Sequence, residues 1–100
     1  MSILPWTLES SDVQAVTATS VKFDPTMYPG AQFYYVATVD SWITTGADPT
    51  AAVADNSVFV KAGDVFPVAA HKTAVKVAAV KATGASDGSG CLYFGKYTSG

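Results

Sequence analysis

No arginine occurs anywhere in the 100 residues, and glutamate, histidine and cysteine occur once each, as Glu9, His71 and Cys91. Each scarcity removes a class of function. Nucleic-acid binders rest on a basic footprint in which arginine reads bases and grips phosphates. Here six lysines face seven aspartates and one glutamate, a net charge of −2, and no nucleic-acid partner is expected. A lone cysteine can form neither an internal disulfide nor a cysteine-based zinc site. No D-x-[DN]-x-[DN]-G run offers a calcium loop, so neither metal nor cofactor is expected. The opening MSILPWTLES lacks the basic and apolar regions of a secretory leader, and no apolar run approaches a membrane span. A protein made in the cytoplasm, with no membrane partner, is the expectation.

What is present is β punctuation. Hydrophobic residues make up 49% of the chain and charged ones only 14%. The surface must therefore be built largely from Ser, Thr, Ala and Gly, leaving neutral area for contacts. A chain of this size forms a single domain. Area scaling gives roughly 5,400 Å² exposed when folded against about 15,000 Å² for the open chain. The balance of burial against chain ordering is close to zero at this size, which favours association with like copies or a larger surface.

The spacing predicts an all-β domain. Residues 1–12 read as an N-terminal arm with Ile3, Leu4 and Trp6 as apolar anchors, and residues 13–100 as one β-domain. A first strand tucked into the fold is the other reading of residues 1–12. Gln14–Phe23 alternates small, polar and apolar residues as a strand does. Asp24–Gly30 is a turn closed by Pro29-Gly30. Gln32–Thr44 carries Phe33, Tyr35, Ala37, Val39 and Ile43 on one side and Tyr34, Val36 and Trp42 on the other. Its length exceeds a typical strand, which predicts a break near Asp40-Ser41.

Ser57–Lys61 and Val65–Val68 flank Ala62-Gly63-Asp64, a pattern that predicts a hairpin. Pro67 has no N–H to give, so its strand belongs on an edge or at a bulge. His71–Thr83 is the one segment where a helix competes. On a helix Lys81 would lie about 180° from Lys72, and the valines would form no clean face. A strand with a bulge at Ala78-Ala79 would instead keep Val75, Val77 and Val80 inside. Gly84–Gly90 is a loop and Cys91–Tyr97 a closing strand, with Leu92 and Phe94 opposite Cys91 and Tyr93. The sum is a small antiparallel sandwich or barrel of about seven strands.

Candidate chemistry fails on context. Gly84-Ala85-Ser86-Asp87-Gly88 matches the G-x-S-x-G elbow, but that elbow needs a following helix and a later histidine. His71 precedes Ser86, and a triad of His71, Asp64 and a serine has no identifiable nucleophile environment. Asp40, Asp48, Asp55, Asp64 and Asp87 all fall in turns, where aspartate bonds its own backbone. No catalytic residue is assigned and no enzyme is expected. Among the aromatics most should be core or cross-strand partners, the rest interface anchors or a sugar platform. Cys91 is expected to be a small buried hydrophobe.

One resemblance sharpens this. Trp42-Ile43-Thr44-Thr45-Gly46-Ala47-Asp48-Pro49-Thr50-Ala51 leads into Ser57-Val58-Phe59-Val60-Lys61-Ala62-Gly63, then Val75–Lys81, then Ser89-Gly90-Cys91-Leu92-Tyr93. That order of G-x-x-P-T-A, V-x-A-G, a valine-rich strand and G-S-G-x-L resembles small β-sandwich structural proteins of tailed bacteriophages. The likeness spans roughly residues 32–95. It implies a non-enzymatic virion component on the capsid surface, a decoration (cement) protein that bridges subunits of the major capsid protein as a homo-oligomer such as a trimer. A head–tail connector, tail or vertex-spike component is the alternative within virions, and a small carbohydrate-binding module the alternative outside them. Ile3, Leu4, Trp6 and Trp42 are the expected interface contacts.

Overall fold

The computed structural model describes residues 6–30, 32–53, 55–70 and 72–97. These form an all-β protein of two antiparallel sheets, as the spacing of apolar runs and turns predicts. Sheet 1 has the order β1-β8-β3-β6, from Trp6–Val16, Gly88–Tyr97, Gln32–Ala37 and Phe66–Val68. Sheet 2 has the order β2-β7-β4-β5, from Val21–Lys22, Lys76–Lys81, Ser41–Gly46 and Val58–Val60. The chain changes sheet at every connection except the one from β4 to β5. This constant crossing makes the fold a sandwich, because consecutive strands face each other across the core.

The boundary expected at residue 12 falls inside a strand. β1 pairs with β8 from Trp6, opposite Tyr97, to Val16, opposite Gly88, with an irregularity between Leu8 and Ser10. Residues 6–12 are thus the first half of β1 and part of the domain, which is the tucked-strand reading. Ile3 and Leu4 lie outside the described residues. The strand expected over Gln14–Phe23 divides, because Thr17 carries the chain to sheet 2 by accepting the Lys81 N–H at 3.0 Å. β2 follows, paired with Ala79 and Ala78 of β7.

The long β run breaks where its length required. β3 ends at Ala37 and β4 begins at Ser41, so the turn between them moves the chain from sheet 1 to sheet 2. Inner positions Phe33, Tyr35, Ala37 and Ile43 are buried, while Tyr34, Val36 and Trp42 are half-buried on outer faces. The hairpin expected around Gly63 does not form. β5 pairs with β4 in sheet 2 and β6 with β3 in sheet 1. The reason is local: the Ala62 N–H donates to Asp40 Oδ1 at 2.8 Å and the Gly63 N–H to the Ala37 carbonyl at 2.9 Å. Those two bonds pin the turn to the β3–β4 corner, and Gly63 at φ 83° lets the chain reverse across the gap. Pro67 lies on an edge strand, as its missing donor demands.

β7 contains no bulge. Its register against β4 runs unbroken from Lys76 opposite Gly46 to Lys81 opposite Ser41. Val77 and Ala79 face the core while Ala78 and Val80 face outward, yet all are buried. Outward Val80 is covered because Ala51, from the β4–β5 connection, folds over it beside Trp42. β8 starts at Gly88, earlier than expected, and supplies Leu92 to the centre.

The main core joins both sheets through residues such as Val16, Phe23, Met27, Tyr35, Val77 and Leu92, all 0% exposed. Each such side chain stabilises the fold by about 1.5–3 kcal/mol through burial. Edge-to-face rings add direction: Phe33 and Phe94 lie 4.9 Å apart across β3 and β8, and Phe23 meets Tyr35 at 6.0 Å. Among the described residues one side-chain polar pair sits inside. Tyr35 Oη of sheet 1 and Ser41 Oγ of sheet 2 are 2.8 Å apart, and both residues are fully buried. Burial pushes the Tyr35 hydroxyl above its ordinary value, an effect the Ser41 hydrogen bond partly offsets.

Candidate functional site

The outer face of sheet 2 holds Trp42. Its side chain is half-buried, with the ring edge-to-face against Phe59 of the neighbouring strand at 5.4 Å. The 47–57 connection lies over this face as a strap. The Ala51 N–H donates to Ser20 Oγ at 2.9 Å, the Ala52 N–H to Ser57 Oγ at 3.2 Å, and Lys22 forms an ion pair with Asp48. The hydrogen bond and charge of Lys22 hold the Asp48 carboxyl below the usual carboxylate range. Trp42 is therefore engaged by the strap and by Phe59, with only part of its ring left for a partner. Trp6 belongs to the strand β1 of the other sheet, opposite Tyr97.

The opposite border of the sandwich carries a feature the pattern reading missed. Between the edge strands β5 and β6 the two sheets stand open, leaving a groove of about 520 Å³. Ile43 and Val68 form its floor, and Val58, Phe66 and Pro67 flank it, with no charged side chain in the lining. Val58, Phe59 and Val65 of this border are 49%, 45% and 62% exposed. A signal was present in the sequence. Ser57-Val58-Phe59-Val60 and Val65-Phe66-Pro67-Val68 each carry consecutive apolar residues, and a strand that alternates must turn some of them outward.

Among the described side chains, those along the outer face of sheet 1 are uncharged. Ser11, Val13 and Ala15 of β1, Cys91 and Tyr93 of β8, and Tyr34 and Val36 of β3 lie there. Cys91 is half-buried on this face rather than in the core. Its hydrogen bond to Tyr93 raises the Tyr93 hydroxyl above the ordinary tyrosine range. Sheet 2, by contrast, carries Lys22, Lys76 and Lys81 on its strands.

Among the residues weighed for chemistry, the carboxylates of Asp40, Asp48 and Asp87 make structural contacts. Ser86 stands exposed in the turn between β7 and β8, and a strand follows it where a nucleophile elbow has a helix. Asp87 pairs with Lys81 at 2.7 Å, Asp40 holds the Ala62 amide, and the Asp64 N–H closes a turn onto the Lys61 carbonyl at 3.1 Å. His71 lies outside the described residues. Among the described residues no three of His, Cys, Asp and Glu gather as metal ligands would, and no helix is long and apolar enough to cross a membrane. The arrangement offers contact surface: exposed apolar residues near an open groove whose lining holds no charged side chain. Comparison of the chain with protein-family models, with curated proteins and with solved structures finds no match.

Proposed function

We propose that this protein is a non-enzymatic virion structural protein, a capsid decoration (cement) protein that binds the outer shell and bridges subunits of the major capsid protein. The observation that carries the reading is the border of the sandwich formed by β5 and β6, where Val58 lines a groove without charged lining and Phe59 and Val65 stand exposed nearby in the chain. Exposed apolar area gathered at one place marks a surface that something else covers. The phage likeness of residues 32–95 supplies the identity of that partner. The protein is made in the host cytoplasm and works on the capsid as a homo-oligomer.

The mechanism is addition of buried area across joints in the coat. A standard-size interface buries about 800 Å² on each partner. Only the assembled shell presents the whole of such a site, so binding shifts assembly by mass action and raises the shell's resistance to heat. The test uses purified protein and tailed-phage shells assembled without it. Saturable binding and a raised disruption temperature are expected, and Val65→Glu, exposed in the free chain, should weaken both. Shells that bind nothing and resist heat equally well with and without the protein overturn the reading.

A further inference from the structure

β1 is the one long sheet edge among the described residues. The edges formed by β2, β5 and β6 are two, three and three residues long, and β6 carries Pro67; β1 runs for 11. An unpaired edge presents a row of N–H and C=O groups that template another strand, so folded proteins blunt their edges with shortness, proline or charge. Three edges here are blunted in that way. On β1 no described strand pairs along the side away from β8. From Ser10 to Val16 its single charge is Asp12, whose Oδ2 already accepts from Gln14 Nε2 at 3.1 Å and from the Asp24 N–H at 3.2 Å. Val13 stands 62% exposed on the outer face.

We propose that β1 pairs antiparallel with β1 of a second copy, about a two-fold axis passing midway between the two Val13 residues, to form one continuous sheet from the two copies. The axis must be perpendicular to the sheet to keep each copy's outer face on the same side, so directly opposed residues have numbers with an even sum. Charge then selects the register. Centred on Asp12, two carboxylates face each other. Centred on Ser11, exposed Val13 lies opposite Glu9. Centred on Gln14, pairing shortens to residues 12–16. Centred on Val13, pairing covers residues 10–16, with Val13 opposite Val13, Ser11 opposite Ala15, and Asp12 opposite Gln14 of the other copy. The charge meets an amide donor, and the exposed valine is buried against its own mate, a favourable cross-strand pair. Such an interface is isologous and closes at two copies, which departs from a trimer. Pairing over residues 10–16 makes a narrow strip, and the population of the dimer rises with protein concentration. The inference stands apart from the virion reading.

The test is site-directed cross-linking of the whole chain. Cys91→Ser serves as background, because Cys91 lies opposite Val13 on β8 and would compete for an introduced thiol. Under mild oxidation Val13→Cys should give a disulfide-linked dimer, since opposed strand positions lie within disulfide reach. Ser11→Cys and Ala15→Cys should each stay monomeric alone and cross-link when mixed. In sedimentation at high concentration the parent should approach twice the 10.3 kDa chain mass. Val13→Lys, which places two cations on the axis, should return it to a single chain while leaving its circular dichroism unchanged. A parent that sediments as monomer or trimer at every concentration overturns the proposal. So does Ser11→Cys cross-linking alone as fast as Val13→Cys.

Discussion

Replacing Tyr35 with phenylalanine isolates a polar contact inside the core. The ring stays, its packing on Phe23 stays, and only the hydroxyl that meets Ser41 Oγ at 2.8 Å is removed. Ser41 is 0% exposed, so its hydroxyl is left without water or another described partner. Stranding a buried polar group costs about 1–3 kcal/mol. For a domain of this size each kcal/mol lowers Tm by about 4–8 °C. A fall of roughly 4–24 °C is therefore expected in thermal unfolding followed by near-ultraviolet circular dichroism. Ser41→Ala strands the tyrosine hydroxyl instead and should cost a similar amount. The double variant leaves neither group stranded, so its loss should be well below the sum of the two singles. A Tyr35→Phe protein as stable as the parent, or singles that add, would refute the claim that this pair joins the sheets.

Three further outcomes follow from the same packing. Gly90→Ala sets a Cβ 2.9 Å from Val16 Cγ2 and 3.2 Å from Tyr35, both fully buried, and should cost about 1–3 kcal/mol in urea unfolding. Leu92→Ala empties the centre of β8, where Leu92 is 0% exposed, and should cost about 2–5 kcal/mol in the same assay. The hydroxyl of Tyr35 ionises above its ordinary value, so the folded state holds that proton more tightly than the unfolded chain does. The stability this gives is intact below the unfolded tyrosine value of about 10 and is lost as pH rises through the folded one. Absorbance titration should show Tyr35 among the late-ionising tyrosines, and Tyr35→Phe should abolish that component.

Local patterns made much of the architecture legible. Alternation in Gln32–Thr44 marked the inner residues Phe33, Tyr35, Ala37 and Ile43, and excess length placed the break at Asp40-Ser41. What stayed hidden depends on contacts distant in sequence. Alternation alone would turn Val80 to solvent, which suggested a bulge; Ala51, reaching over from the β4–β5 connection, covers it instead. Ala62-Gly63-Asp64 has the composition of a hairpin turn. Its destination is set by Asp40 and the Ala37 carbonyl, which capture its amides and send β6 to the other sheet. The groove between β5 and β6 follows from that crossing and has no local signature beyond outward-turned apolar residues. Trp42 was visible as a candidate contact, but the strap over its face was not.

The number of copies of this chain in purified tailed-phage particles, measured by quantitative mass spectrometry against the major capsid protein, tests the central claim most directly. A shell-covering decoration protein predicts hundreds of copies per particle, in fixed proportion to the coat. A dozen or fewer, or none, would contradict it.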